Sequence, residues 1–301
     1  VPYYHRVGTV YLGTEPETED ATVAKKLREA GAVIIGVSNM HELGTGTTGC
    51  NPNRYHKIPR NPYKPNHFTG GSSSGSAAAV AAGPICTSVA DAAIVYSILA
   101  EPDPLYPYGL KQPKATLSDM CAPDLKGLKL GVDWTFFKAC DAEILSVCEK
   151  AVEYLQNLGA SVVEVSLPEM EEVKIAHAIC ILSEMRDFLQ PDFNKHFQEM
   201  ANRQRTRSMR FLREIFTTVN CILTPGRNAN DSFSPRFMQL GNFTGIPGLI
   251  VPIGYSTAGL PIGFQVMAKW WDEAVLLRIG LKLEQFRCQT KKPTIHYDIL
   301  A

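Results

Sequence analysis

The chain has 301 residues, 30 of them Lys or Arg and 30 Asp or Glu, for a formal net charge of zero; 45% are hydrophobic and 20% charged. This composition excludes a fibrous or disordered chain, and the length is enough for a sizeable core in one large α/β domain or two small ones. Zero net charge without a long basic run also excludes a nucleic-acid partner, because such binding rests on phosphate neutralisation by Lys and Arg. The densest charge cluster, Arg203, Arg205, Arg207, Arg210 and Arg213, has the spacing of a solvated helix side. Cysteines at 50, 86, 121, 140, 148, 180, 221 and 288 form no C-x-x-C pair. That argues against a disulfide framework or zinc ribbon and fits an intracellular, reducing compartment. No apolar run approaches the roughly 20 residues of a membrane span.

Residues Asp20 to Ala30 place Val23, Leu27 and Ala30 at helical spacing, with Asp20 as N-cap and Gly31 as the left-handed residue that ends the helix. Ala32 to Val37 is a short β-branched run and reads as a buried strand. Between Gly44 and Gly83 the composition turns to Gly, Ser, Thr, Asn and Pro and then to alanine, which reads as a functional surface loop feeding a helix. Ser88 is expected to cap a second helix in a capping box with Asp91, burying Val89, Ala92, Ala93, Tyr96 and Leu99. The polar, Pro-rich stretch Glu101 to Pro123 is a surface crossing.

Leu128 to Val132 reads as a strand. Asp141 opens a helix through Ile144, Leu145, Cys148, Leu155 and Leu158, which Gly159 stops before a strand at Ser161 to Val165. Two helix-Gly-strand units predict α/β architecture. Glu169 to Arg213 reads as one or two long helices, and Cys221 to Leu223, closed by Thr224 and Pro225, as a short strand before the loop Gly226 to Pro235. Leu249 to Tyr255 and Ile262 to Met267 form a hairpin around Gly259, and Trp271 to Phe286 a closing amphipathic helix.

The sharpest motif is Thr69-Gly70-Gly71-Ser72-Ser73-Ser74-Gly75-Ser76, running into Ala77-Ala78-Ala79. Small residues let the backbone approach a ligand closely, and the first N–H groups of the following helix are expected to face the loop and stabilise an oxyanion. A Ser-rich cap before an Ala-rich helix is the plain structural alternative. A phosphate loop would need Gly-Lys-Ser or Gly-Lys-Thr, and no lysine lies between Lys64 and Lys111. A nucleophile elbow needs a strand directly before it, whereas Asn61 to His67 reads as a Pro-broken loop. His41-Glu42 lacks the second histidine of H-E-x-x-H, since the fifth position is Thr45, so no metal site is expected there. Trp270, Trp271 and the other aromatics are not interleaved with basic residues, which favours packing over base stacking.

Asn39-Met40-His41-Glu42-Leu43-Gly44, Gly46-Thr47-Thr48-Gly49, Arg60-Asn61-Pro62 and Gly70 to Ala77 follow one another in an order that resembles the amidase signature family. Leu223-Thr224-Pro225, Gly245-Ile246-Pro247, Val251-Pro252-Ile253-Gly254 and Gly259 to Gln265 continue the resemblance over most of the chain. Within the family the likeness is greatest to plant fatty acid amide hydrolases, down to the tail from Lys291 to Leu300. The resemblance implies an amidase signature fold, a mixed β-sheet core flanked by helices on both faces, as a single domain over residues 1–301. It implies amide hydrolysis by a Ser-Ser-Lys triad: a lysine deprotonates a bridging serine held on a cis peptide bond, and that serine activates the nucleophilic serine. Ser72 matches the bridging serine, and the loop around Gly46 would line the reacting end of the substrate. No cofactor or metal is implied.

The chain departs from the pattern at two points. Residues 1–24 contain no lysine where the family has its base, and the first, Lys25, falls inside the expected helix. The family nucleophile sits in a second Gly-Gly-Ser loop after the Ala-rich helix, but here Gly83 runs directly into Pro84-Ile85-Cys86-Thr87-Ser88. The chain therefore reads as shortened before Val1 and internally deleted near Gly83, with an incomplete sheet. Ser72 alone should catalyse little, because residues that act as a unit lose most of their effect together. Three outcomes follow: a hydrolase of carboxylic amides, such as N-acylethanolamines; a non-catalytic pseudoenzyme that binds lipid amides or dimerises; or a chain that does not fold stably. A small-molecule amide or lipid amide is the expected partner, with a homodimer and peripheral membrane contact left open.

Overall fold

The computed structural model describes residues 3–9, 15–44, 46–51, 58–82, 88–100, 103, 113, 117–189, 209–226, 237–287, 291 and 293. Arg203, Arg205 and Arg207, the stretch Gly83 to Thr87, most of Glu101 to Pro123, the loop from Arg227 to Pro235 and most of the tail after Lys291 lie outside them. The chain divides into two compact units, Val1–Ala115 with Thr290–Ala301, and Thr116–Gln289.

In the first unit, helix α1 (Thr22–Glu29) ends where expected, at Gly31 with φ +91°. Its N-cap is Ala21 and makes no side-chain bond. Asp20, expected in that role, instead accepts from Arg28 Nε at 2.7 Å, a charge-assisted contact that competes successfully with capping a neutral N–H. None of the α1 side chains is buried. The expected buried strand at Ala32 to Val37 pairs with no strand among the described residues, and Val33, Ile35 and Val37 are 83%, 88% and 71% exposed. A buried strand needs neighbours at its edges and on its faces, and no described strand pairs with this one.

Strands β1 (Arg60–Asn61) and β2 (Lys64–Phe68) make an antiparallel ribbon in the stretch expected to be irregular. Asn61 Oδ1 accepts the Tyr63 N–H at 3.0 Å and closes the turn around Pro62. Pro65 falls in the irregular stretch between the pairs Asn61↔Lys64 and Arg60↔Phe68, where the ladder asks no N–H of it. Helix α2 (Ser74–Ala82) follows, then α3 (Val89–Leu99). The capping box at α3 is formed: Asp91 N–H donates to Ser88 Oγ at 3.1 Å, and Ser88 Oγ lies 2.8 Å from Asp91 Oδ2. Of the five side chains expected to be buried there, Val89 and Ala93 are.

The second unit carries the sheet. Strand β3 (Lys129–Val132) leads into the short helix α4 (Trp134–Phe137). Asp133 caps α4 through the Phe136 N–H at 2.9 Å and accepts the Leu167 N–H at 2.7 Å. Helix α5 (Ala142–Asn157) buries Ile144, Cys148, Ala151, Val152 and Leu155 and ends at Gly159, φ +100°, before β4 (Ser161–Glu164). Helix α6 (Met170–Leu189) and helix α7 (209–215) are the two described pieces of the expected long helical stretch. Strand β5 (Cys221–Pro225) is buried along its whole length, and α8 (Gln239–Thr244) ends on Gly245 at φ +71°. Strands β6 (Gly248–Tyr255) and β7 (Pro261–Ala268) form the expected hairpin around Gly259, and α9 (Glu273–Phe286) closes the unit.

The sheet order is β4-β3-β5-β7-β6, with β3 parallel to both β4 and β5, and β7 antiparallel to both β5 and β6. Ile222 and Met267 join Val173, Leu212, Leu240 and Phe243 in one apolar cluster. Helix α9, with Leu276, Ile279 and Leu283 buried, packs on β6 and β7, and α5 packs on α9. Each fully buried Ile, Leu or Phe contributes about 1.5–3 kcal/mol. The buried Gln265 amide is satisfied by the Phe237 carbonyl at 2.6 Å and Thr224 Oγ1 at 3.3 Å.

Candidate active site

The two Gly-rich loops of the first unit meet through Asn39. Its side-chain amide donates to the Gly49 carbonyl at 3.0 Å and to Ser74 Oγ at 2.9 Å, while its Oδ1 accepts from Asn51 Nδ2 at 2.7 Å. Its main-chain carbonyl accepts the Gly75 N–H at 2.8 Å. One side chain and one peptide group thus tie together residues 39–51 and 69–76. In sequence Asn39 stands out as the first residue of the Asn39–Gly44 motif, a signal that does not reveal this bridging role.

Close approach of the loops explains their glycines. A Cβ on Gly71 would stand 2.8 Å from the Gly49 nitrogen and 3.1 Å from the Gly46 carbonyl oxygen, and one on Gly75 would run into the Asn39 backbone. The structure therefore brings Gly46 and the Gly71–Ser72 turn side by side. The Gly71–Ser72 peptide bond is cis. The Ser72 carbonyl accepts from His41 N–H at 2.8 Å and from Ser74 N–H at 2.9 Å. Ser74 is fully buried. Ser72 is half-buried, and its hydroxyl has no hydrogen-bond partner among the described residues.

Two expectations about this loop change. The first N–H groups at the start of α2, expected to face a ligand, are taken by the protein itself: Ser74 by the Ser72 carbonyl and Gly75 by that of Asn39. A strand, β2, does precede the loop, where the prolines had argued for none. It belongs to the two-stranded ribbon and not to the five-stranded sheet, so it does not supply the buried sheet end on which an elbow serine stands. The His41 ring lies 3.3 Å from Thr48 Oγ1 and crowds the position where a Cβ on Gly46 would be.

The described cysteines Cys140, Cys148 and Cys221 are not activated thiols. Burial pushes the Cys140 thiol up to about 11 and those of Cys148 and Cys221 higher still, which keeps all three protonated at neutral pH. A cavity of about 880 Å³ in the first unit, lined by Tyr3, Tyr4, Asp20, Arg28 and Val37 among others, includes neither Ser72 nor Gly46.

The Amidase family model matches residues 5–84 and 82–217. The chain belongs to the amidase family. This member is 31% identical to "Fatty acid amide hydrolase" of Arabidopsis thaliana over 397 aligned positions, covering 100% of this chain and 65% of the relative. The fatty acid amide hydrolase of Medicago truncatula is 30% identical, with 94% of this chain and 62% of the relative covered. The amidase chain thus spans less than two thirds of the length of these relatives. Its fold matches a solved glutamyl-tRNA(Gln) amidotransferase chain from Thermotoga maritima with a TM-score of 0.84 at 21% identity, over 98% of this chain and 84% of that one. The amidase signature fold is the one expected, with its α/β mixed sheet left open.

Proposed function

We propose that this amidase-family chain binds carboxylic amides, in particular lipid amides of the N-acylethanolamine class, at the junction of Gly46 and Ser72, and hydrolyses them far more slowly than a complete family member. The observation that carries this reading is the Ser72 hydroxyl, held on a cross-bonded loop with no base or second hydroxyl bonded to it among the described residues. A serine hydroxyl can donate to an amide carbonyl or accept from an amide N–H without assistance. Attack is different, because an unactivated hydroxyl is a weak nucleophile at neutral pH. The two pieces of the family match overlap at residues 82–84, and 397 aligned positions accommodate 301 residues, which supports the loss of the family's second Gly-Gly-Ser loop near Gly83. The likeness to plant fatty acid amide hydrolases supports the lipid amide as ligand.

The test uses the purified chain and its Ser72→Ala variant with a radiolabelled N-acylethanolamine and a short aryl amide. The expected result is saturable binding of the lipid amide that Ser72→Ala weakens, with product formation indistinguishable between the two proteins. Turnover that Ser72→Ala abolishes would replace this reading with that of a working amidase. Absence of binding to either amide would remove the ligand.

A further inference from the structure

The loop that carries Gly46 holds a hydroxyl and a base of its own. Thr48 Oγ1 lies 3.3 Å from His41 Nδ1. Among the described residues no other hydroxyl meets a histidine ring, and the second nitrogen of this ring, Nε2, has no hydrogen-bond partner. With its proton on Nε2 the ring accepts the Thr48 O–H at Nδ1, the arrangement that activates a hydroxyl for attack. Such contacts are long in a free protein and tighten around the substrate. Both side chains are half-buried, sheltered from bulk water yet open to a ligand.

The pair stands where the amide is placed. His41 N–H donates to the Ser72 carbonyl at 2.8 Å, and the His41 ring fills the space of a Cβ on Gly46. A Cβ on Gly71 would lie 3.1 Å from the Thr47 carbonyl carbon, the atom bonded to the Thr48 nitrogen. We propose that Thr48 is the nucleophile of the slow hydrolysis and His41 its general base, which rests on the reading that an amide is presented at the junction of Gly46 and Ser72. Thr48 Oγ bonds to the carbonyl carbon while its proton passes to His41 Nδ1. The C–N bond then breaks, the leaving amine takes that proton, and the acyl group stays as an ester on Thr48. Water next gives a proton to His41 and its oxygen to the carbonyl carbon. The ester bond breaks, the proton returns to Thr48 Oγ, and the carboxylic acid departs. Ser74 and Gly75 N–H at the start of α2 are already bonded within the protein and give the oxyanion nothing, so both steps are slow.

The test uses a fluorophosphonate, whose reaction requires no recognition of a lipid. An activated hydroxyl displaces its fluoride and retains the phosphonyl group, and peptide mass spectrometry of the full chain identifies the labelled residue. Label is expected on Thr48, together with slow release of aryl amine from a short aryl amide. Thr48→Val keeps the shape without the hydroxyl and should lower both about 100-fold, whereas Thr48→Ser should retain both. His41→Gln keeps the main-chain bond to Ser72 and a polar side chain without a base, and should lower both likewise with unchanged circular dichroism. Added imidazole should restore part of the rate to His41→Ala, which a merely structural role for His41 would not allow. Label on Ser72 in place of Thr48, no label on either, or Thr48 label that survives His41→Gln would overturn the proposal. Lipid-amide binding can fail in the earlier test without changing the label, and Thr48 can stay unlabelled in a chain that binds the lipid amide.

Discussion

The two units of the amidase chain satisfy their backbones and bury their side chains in different ways. In Thr116–Gln289 the strands hydrogen-bond one another across a five-stranded sheet, and β5 is buried from end to end. In the unit that holds Ser72 the longest β-branched run pairs with nothing described, α1 buries no side chain, and the buried hydrophobic residues among those described are Val89, Ala93 and Ala100. What holds that unit's loops is polar: Asn39, Ser74, Asn51 and Thr69 cross-bond two Gly-rich segments. Polar contacts of short range can thus hold a local hydrogen-bonded form where few of the described side chains are buried.

The largest expected effect tests this contrast directly. Phe264→Ala, at a fully buried position in β7, should cost about 3–5 kcal/mol in a urea melt. Ile35→Ala should stay within about 0.5 kcal/mol. Equal losses would mean that the exposed run has a core of its own and would break the comparison.

Asn39→Ala should cost about 1–3 kcal/mol, since it leaves Ser74 Oγ and Asn51 with lost partners. Its readout is hydrogen exchange: faster over residues 39–51 and 69–76, unchanged across the five strands of the sheet. Loss of protection in the loops and the sheet together would show the polar clamp to be structural for the whole chain.

The smallest effect sharpens the other side. His177 packs its ring against Phe243, and burial holds its pKa below the ordinary 6.5, partly opposed by Glu184. The unfolded chain therefore takes up this proton before the folded one does. The contribution of neutral His177 is fully present above pH 6.5 and is lost as pH falls from there towards the depressed folded value. His177→Gln should flatten the slope of stability against pH below 6.5, measured by urea midpoints at several pH values.

The sheet unit was the more legible in sequence, and for a physical reason. Asp141 to Val165 carries its instructions locally: an apolar stripe at helical spacing, a glycine at φ +100°, then β-branched residues. The β6–β7 hairpin likewise follows from two apolar runs around Gly259. The helix α8 escaped notice because its six residues are set by burial of Leu240 and Phe243 and not by a cap. Ala32 to Val37 misled because composition reports what a segment would prefer to bury against, and the described residues supply no such partner. Ser72 could be singled out from the Gly-Ser loop and the family resemblance, whereas Asn39 acts through four contacts that only the folded chain brings together.

The parallel pairing of β3 with β5 has a consequence in time. Leu130 sits beside Cys221, and the Lys129 N–H reaches Asn220 Oδ1 across 91 residues of chain. Strand pairing over so long a loop is slow, while the β6–β7 hairpin closes locally. On the ribosome most of the first unit emerges before β5 has been made, and Val33, Ile35 and Val37 are in solvent then as they are in the finished fold. A chaperone that grips apolar chain would meet its natural handle there from the earliest stage of synthesis.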